Sequence, residues 1–175
     1  MTPLLFSTFE VTSQAFYRAS LSYAIVNLKP IVPGHVLVIP NRRVPRLTDL
    51  DDDELACMMR SIKHVGRVIQ SVYGADALTI ACQDGKAAGQ SVPHVHFHLL
   101  PRKSTDPFAE RNDEIYPELE KTEGKLASNL QNAHSSSQSS HLKVDADEDR
   151  APRTLKEMEE EADHLKGFFT EDKSS

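Results

Sequence analysis

The sequence has few of the features that mark secreted or membrane-spanning proteins. Only two cysteines, Cys57 and Cys82, occur in 175 residues, which is too few for a disulfide framework and favours a reducing compartment. No basic segment followed by an apolar run stands at the start, so we expect no secretory signal. No apolar run approaches the roughly 20 residues that a transmembrane helix needs. We therefore expect a soluble protein of the cytoplasm, and also of the nucleus.

An excess of basic residues is also missing, and the charge is unevenly spread. Residues 1–110 hold 11 Lys and Arg against 10 Asp and Glu, whereas residues 111–175 hold 9 against 16. A near-neutral body followed by an acidic segment argues against general nucleic-acid binding, which needs a basic surface.

Apolar residues make up 39% of the chain, a low share for a wholly globular protein. The polar residues concentrate late in the sequence, where a serine-rich run at 135–140 precedes an acidic patch. We expect one folded domain over 1–120 and a disordered polar and acidic insert over 121–153. Helical spacing returns after the insert and predicts a C-terminal helix over 154–170 that packs on the domain.

The first 101 residues predict an α+β domain. Apolar residues from Asp51 to Val72 recur at spacings of three and four, which indicates a long amphipathic helix, and Asp51 with Glu54 resembles a capping box. Strands are predicted at 23–28, 35–39 and 77–83, with a further strand at 92–100. Short connections between these elements favour a mostly antiparallel sheet with the helix on one face.

Three histidines, His94, His96 and His98, alternate with apolar residues inside the last predicted strand. Side chains in a strand alternate faces with a period of two, so all three imidazoles are expected on one side of the sheet. A half-buried structural role is the ordinary explanation for one such histidine, but three in this register indicate chemistry.

A metal site is one chemical interpretation. His-x-His on a strand can bind zinc through two nitrogens. At a rise of about 3.3 Å per residue, the Cα atoms of His94 and His98 would lie roughly 13 Å apart. That distance is too long for one ion to coordinate all three rings. A further ligand would be needed, and no carboxylate or thiol stands at a suggestive spacing. We therefore predict no protein-bound metal.

Nucleophilic catalysis is the alternative that the pattern favours. His96 is flanked on both sides, so it is the natural nucleophile, while His94 and His98 would supply orientation and positive charge. The loop before the histidines contains Gly85 and Gly89, which allow close approach of the backbone. Amides from Gly89 to Val92, together with Gln90 and Ser91, suit the oxygens of a phosphate.

These motifs resemble the histidine triad superfamily, and in particular its fragile histidine triad branch. Four stretches carry the resemblance: Val26-Asn27-Leu28-Lys29-Pro30-Ile31-Val32-Pro33-Gly34-His35-Val36-Leu37-Val38, then Gln83-Asp84-Gly85 with Ala88 to His98, then Pro101-Arg102-Lys103, and Arg111-Asn112-Asp113 with Ile115-Tyr116. The polar insert and the Leu-Lys-Gly-Phe-Phe ending are similar to fungal members of that branch. The resemblance implies a five-stranded, mostly antiparallel sheet with a long helix and a C-terminal helix, extended across a homodimer.

The resemblance also implies a dinucleoside polyphosphate hydrolase that cleaves diadenosine triphosphate or tetraphosphate asymmetrically to AMP plus ADP or ATP. In that scheme His96 attacks the α-phosphorus and forms a nucleotidyl-histidine. His94 holds the His96 ring through its backbone carbonyl, and His98 hydrogen-bonds the phosphate. Mg²⁺ or Mn²⁺ enters with the substrate phosphates. The implied substrate-binding residues are Asn27, His35, Gln83, Gly89, Gln90, Ser91, Val92, Ile25 and Leu37.

Two other functions stay open at this stage. A nucleoside phosphoramidase would use the same fold, although short members of that kind lack the Gln83-Asp84-Gly85 context. A nucleotide-sensing module, whose substrate-bound form is the signal, would use the same site without needing turnover. Tyr116 corresponds to a tyrosine linked to signalling in animal members, and we interpret it here as a surface aromatic residue.

Overall fold

The computed structural model describes residues 2–136 and 151–170. The strands are β1 (Leu5–Phe6), β2 (Phe9–Glu10), β3 (Ala15–Arg18), β4 (Ser22–Val26), β5 (Val36–Pro40), β6 (Ala77–Ala81) and β7 (Phe97–Arg102). The α-helices are α1 (Asp52–Val72), α2 (Ile115–Ser136) and α3 (Leu155–Thr170). No helix in the described part of the chain is long and apolar enough to cross a membrane.

Five strands form one antiparallel sheet in the order β3-β4-β5-β7-β6, and β1 and β2 form a separate small hairpin. This confirms the α+β class and the five-stranded antiparallel sheet. The register places Ile25 opposite Leu37, Leu37 opposite His98, and His98 opposite Ala81. Directly opposed residues share a face of a sheet. Ile25, Leu37 and His98 therefore form one row across the sheet.

Helix α1 covers the other face of the sheet. The capping box is present, since Asp51 accepts from the Glu54 amide and Glu54 accepts from the Asp51 amide. Met58, Val65 and Ile69 of its apolar stripe are fully buried in the main core. The helix therefore fixes the sheet from behind and leaves the row that contains His98 on the opposite side.

Helix α2 differs from the expectation of a disordered insert over 121–153. Residues 121–136 continue this helix, which begins at Ile115. Leu126 and Leu130 join the main core, and Ile115 and Leu119 join a second apolar cluster. The helix forms because these apolar residues recur on one face and find a surface to cover, although the residues between them are polar. The rest of the predicted insert includes 137–150, which lie outside the described residues.

Helix α3 packs against β3, β4 and the turn before β3. Met158, Ala162 and Leu165 are fully buried in the main core. Arg153, just before the helix, donates its backbone amide to the carbonyl oxygen of Leu28 at 2.9 Å. Its guanidinium group donates to the carbonyl oxygen of Asn27 and to Glu161. The end of the chain is thus tied to the segment that follows β4.

Candidate active site

His96 is held in one orientation by the residue two positions before it. Its Nδ1 atom lies 2.6 Å from the carbonyl oxygen of His94. A carbonyl oxygen only accepts, so Nδ1 carries the proton and donates it. The attacking lone pair of a neutral His96 would then lie on Nε2, which faces the site. An imidazole with one fixed tautomer is a nucleophile with one defined attacking atom.

His94 lies beside this site and does not face into it. Its Nε2 donates to the carbonyl oxygen of Pro40 at 2.9 Å, and its Nδ1 accepts from the Ser7 amide at 3.0 Å. Burial lowers the pKa of His94 to about 4. The ring is therefore neutral near pH 7, which differs from the positive charge expected from the sequence. The physical reason is that a buried ring with one donor and one acceptor partner has no partner for a second proton.

A chain of hydrogen bonds fixes the tautomer of His98. The Ile31 amide donates to Nδ1 of His35 at 3.2 Å, so the His35 proton lies on Nε2. That proton is donated to Nδ1 of His98 at 2.9 Å. The His98 proton therefore lies on Nε2, which points into the site as a donor. Asn27 lies against the His35 ring, with its amide nitrogen 3.0 Å from Nε2.

The carboxylate of Glu123, on helix α2, lies between the two catalytic candidates. Nε2 of His96 is 2.9 Å from Oε2 and 3.0 Å from Oε1, and Nε2 of His98 is 3.2 Å from Oε2. The Ser91 amide donates to Oε1 at 3.1 Å. Three donors converge on this one carboxylate, and Glu123 is completely buried. Two lone pairs cannot face each other at 2.9 Å, so a proton lies between His96 and Glu123.

The charge state of Glu123 follows from these contacts. Burial acts to raise its pKa, but the hydrogen bonds from His96 and His98 outweigh it and hold the pKa of Glu123 well below its ordinary value. Burial also lowers the pKa of His98, which stays a neutral donor. The positive charge expected of His98 from the sequence is therefore wrong, as it is for His94. The group in front of His96 is therefore an anion, and the surrounding residues form an anion site.

The same three side chains could be read as a metal site, since ligand atoms of His96, His98 and Glu123 lie within 4.8 Å of one another. A metal ligand needs a free lone pair on the coordinating nitrogen. The chain that starts at the Ile31 amide puts a proton on Nε2 of His98. These residues therefore fit an anion better than a cation.

The loop between β6 and β7 supplies the backbone wall of the site. Gly85 and Gly89 have φ angles of 108° and 96°, which side chains with a Cβ rarely adopt. The side chain of Gln90 spans the loop, accepting from the Gly85 amide and donating to the carbonyl oxygen of Pro45, both at 2.9 Å. Gln90 therefore braces the loop, whereas the sequence suggested a donor to phosphate. Val92, which the resemblance implied as a substrate-binding residue, is fully buried in this structure.

An open groove of about 620 Å³ runs along this loop. Arg46 and Lys86 contribute positive side chains to its lining, and Ser91 and Gly124 line it next to Glu123. Asp84, in the same loop, accepts hydrogen bonds from the Arg46 side chain and from the Leu47 amide, which connects the loop to the segment before α1. Oε1 of Gln83 is buried and has no hydrogen-bond partner among the described residues. The groove lies next to the anion site, since Ser91 lines the groove and also donates its amide to Glu123.

The sequence profile of the HIT domain, the domain named for the histidine triad, matches residues 8–105 of this chain. The chain belongs to the HIT domain family. It is 53% identical to the bis(5′-nucleosyl)-tetraphosphatase [asymmetrical] of Schizosaccharomyces pombe over 97% of this chain and 96% of that protein. It is 40% identical to the bis(5′-adenosyl)-triphosphatase of Dictyostelium discoideum over 93% of this chain and 89% of that protein.

Solved structures agree with the family. The crystal structure of the Plasmodium falciparum diadenosine triphosphate hydrolase in complex with cyclomarin A superposes with a TM-score of 0.70 at 26% identity. The superposition covers 100% of this chain and 88% of that one. The similarity therefore extends beyond the HIT domain match to the C-terminal helix.

The HIT domain brings together most of the residues that the sequence singled out. His96, His98 and the Ser91 amide meet at one carboxylate, and His35 and Asn27 lie behind His98. Ile25 and Leu37 share the row of His98, where both are buried. The predicted strand over 92–100 is shorter than expected, because β7 begins only at Phe97. The sequence reasoning missed Glu123. The signal that could have found it is the helical spacing of Ile115, Leu119, Leu126 and Leu130, which places Glu123 on the apolar face of α2.

Proposed function

We propose that this HIT domain protein hydrolyses dinucleoside polyphosphates asymmetrically, releasing AMP and ADP or ATP. One observation carries the proposal: an anion-binding group of donors, His98 Nε2–H and the Ser91 amide, lies directly in front of the one defined nucleophilic atom, His96 Nε2. The relatives that carry such names cover nearly the whole chain. A phosphate at this position would present its phosphorus to His96.

The reaction follows from these groups in two steps. Substrate displaces the Glu123 carboxylate, and the proton between Glu123 and His96 passes to solvent, which frees the lone pair on His96 Nε2. That lone pair forms a bond to the α-phosphorus while the bond from that phosphorus to the bridging oxygen breaks. The leaving nucleoside diphosphate or triphosphate takes the electron pair of that bond. Its terminal phosphate has a second pKa of roughly 6, so departure needs little protonation. Water then attacks the same phosphorus, and the electron pair of the N–P bond returns to His96 Nε2. One proton of the water stays on the new phosphate hydroxyl, the other passes to solvent, and AMP is released.

The other residues in this scheme position and neutralise charge. His98 donates Nε2–H to a phosphate oxygen, and the Ser91 amide donates to another. Fixed donors of this kind act most strongly in a buried site. The His94 carbonyl keeps the His96 ring in its attacking tautomer. Asn27 would meet the ribose, Ile25 and Leu37 the base, and Arg46 and Lys86 the remaining phosphates along the groove.

Mg²⁺ or Mn²⁺ belongs to the substrate in this proposal. The cation neutralises the phosphate chain before it enters the site, and no protein residue needs to bind it. The preference of the triad for an anion supports this assignment. Omitting the cation should therefore weaken substrate binding, whereas the affinity for AMP should change little.

The proposal includes a homodimer and a reducing compartment. β6 is an edge strand of the sheet, and Ile80 on that strand leaves 49% of its surface exposed. Such an edge is a template for pairing with a second copy. Light scattering on the purified protein tests the dimer.

The proposed compartment rests on the cysteines. Both cysteines are free, which suits the cytoplasm and the nucleus.

The deciding experiment traps the intermediate. Protein is mixed with diadenosine triphosphate or tetraphosphate labelled in the α-phosphate, and the reaction is stopped within one turnover by an alkaline denaturant, because N–P bonds hydrolyse in acid. We expect label on the peptide that contains His96 and labelled AMP in the supernatant. Free AMP without any labelled peptide would contradict the mechanism. Binding without product would favour the sensing function.

A further inference from the structure

Glu123 occupies the place that a substrate phosphate would take, an inference that rests on the function proposed above. The carboxylate uses the same donors that a phosphate would need: Nε2 of His98, the Ser91 amide and the face of His96 Nε2. Two anions cannot share donors at 2.9–3.2 Å. Substrate and the Glu123 carboxylate therefore exclude each other.

The contact is built into the packing of helix α2. Thr122 and Glu123 are buried, and the carbonyl oxygen of Glu123 accepts from the Ser91 hydroxyl. Apolar residues anchor the helix on both sides, with Leu119 before Glu123 and Leu126 after it. Glu123 is therefore directed at the histidines by the register of the helix, and it is not a mobile side chain that happens to reach them.

The same helix contains a weak point next to the carboxylate. Gly124 follows directly, is exposed, and would meet no atom within 4 Å if it carried a Cβ. A glycine inside a helix lowers the local helix stability. Because Gly124 has no side chain and no atom of the described residues would crowd a Cβ there, a bend at this position breaks no packing contact of Gly124 itself. Gly124 also lines the groove beside the anion site, together with Ser91.

We propose that Glu123 is an internal competitor for the phosphate site, so that this residue sets the affinity of the protein for its nucleotide ligands. The closed form, with Glu123 on the histidines, binds no nucleotide phosphate. The open form, with helix α2 moved at Gly124, binds it. The apparent dissociation constant is the intrinsic one divided by the open fraction.

The test measures binding of AMP, which is not turned over. Isothermal titration calorimetry compares the full chain with Glu123→Gln and Glu123→Ala. A minor state typically holds about 0.1–10% of the population, so removing the competitor should tighten AMP binding at least about tenfold. In turnover with dinucleotide, KM should fall by the same factor while kcat stays within about threefold. A catalytic role for Glu123 would instead lower kcat.

The matched control is Glu120→Gln, which removes the same charge from the same helix. Glu120 is exposed, and its side chain lies near Gly89 rather than on the histidines. It reports how much any nearby negative charge weakens AMP binding. Equal gains in the Glu120 and Glu123 variants would overturn the proposal, because the effect would then be general electrostatics. AMP affinity unchanged in both Glu123 variants would overturn it as well.

A second measurement follows the helix itself. Hydrogen–deuterium exchange of residues 118–130 in the wild-type protein should speed up when AMP is added, because binding selects the open form. Unchanged or slower exchange in this segment would contradict the proposal. Failure of the proposed function gives different results from failure of the competitor proposal. If the function is wrong, no variant binds AMP, or the Glu123 variants bind AMP more tightly and still hydrolyse no dinucleotide.

Discussion

Nε2 of His35 donates to Nδ1 of His98 at 2.9 Å, and this contact joins a buried histidine on the turn before β5 to the catalytic candidate on β7. His35 itself is oriented by the Ile31 amide. The Ile31 amide thus fixes the tautomer of His35, and the tautomer of His35 fixes the His98 proton on Nε2. The donor that faces the substrate phosphate is set by a peptide group four residues away from His35.

Replacing His35 with Phe should therefore damage catalysis through His98. The ring volume is roughly kept, but Nδ1 of His98 loses its donor and the tautomer is no longer fixed. The loss of one hydrogen bond to a buried group corresponds to about a tenfold to hundredfold fall in kcat. Steady-state kinetics measures the fall, and ¹⁵N NMR of the imidazoles should show mixed tautomers for His98. The exposed His164, changed to Gln, serves as the control and should leave both readouts unchanged.

Replacing His96 with Ala should remove turnover and leave binding. Within residues 2–136 and 151–170, no other group in front of the anion site offers a nitrogen lone pair in the same place. Loss of a nucleophile that acts in a concerted unit costs on the order of a millionfold in kcat. Single-turnover assays give the rate, and AMP titration gives the affinity. His98→Ala should lower kcat less, since it removes a donor and leaves the nucleophile; a His96 variant that turns over faster than the His98 variant would contradict these roles.

The contrast between His96 and Glu123 shows what could be predicted from the sequence. Alternation with a period of two placed His96 and His98 on one face, and the spacing of apolar residues with a capping box predicted α1 almost to its ends. Both are local patterns. Glu123 stands in Lys121-Thr122-Glu123-Gly124, which locally predicts an exposed segment. Its spacing from Leu119 and Leu126 puts it on the buried face of α2, but the histidines that it meets there, 25 and 27 positions earlier, are not indicated by any local pattern.

The charge on His94 was predicted incorrectly for a similar reason. Its partners, the Ser7 amide and the Pro40 carbonyl oxygen, are 87 and 54 residues away in the chain. No pattern around the three histidines indicates that such groups will meet this ring. The protonation state of a buried histidine depends on its partners and on its burial, and neither is a property of the local sequence.

His94 should make the stability of the fold depend on pH. Its pKa is about 4 in the folded protein and about 6.5 in an unfolded chain. Between these values the unfolded state binds more protons, so the free energy of unfolding falls as the pH is lowered from 6.5 to 4. The loss from this one group approaches about 3 kcal/mol.

Urea unfolding at pH 7 and at pH 4.5 measures this effect. His94→Gln, which cannot be protonated, should lose less stability over the same interval than the wild-type protein does. Other buried groups titrate in both proteins, so the difference between the two losses is the quantity to compare. An equal loss in both proteins would show that His94 is not held neutral.

Gly34 should tolerate no larger residue. Its φ angle is +83°, and a Cβ at this position would lie 2.5 Å from Cδ2 of Tyr73 and 2.9 Å from Cγ of Pro101. The turn before β5 thus approaches the end of α1 and strand β7 without room for a methyl group. Gly34→Ala combines an unfavourable backbone conformation with overpacking, so we expect a loss of about 2–5 kcal/mol in the free energy of unfolding.

The matched control for Gly34 lies in helix α3. Gly167 occupies the interior of a helix, and no atom of the described residues would lie within 4 Å of a Cβ placed on it. Gly167→Ala should therefore stabilise the protein by up to about 1 kcal/mol, because alanine has the higher helix propensity. Urea midpoints of the two variants should move in opposite directions from the wild type. Since the residue after Gly34 is His35, the Gly34 variant should also lose activity under conditions where it is still folded, whereas the Gly167 variant should keep it.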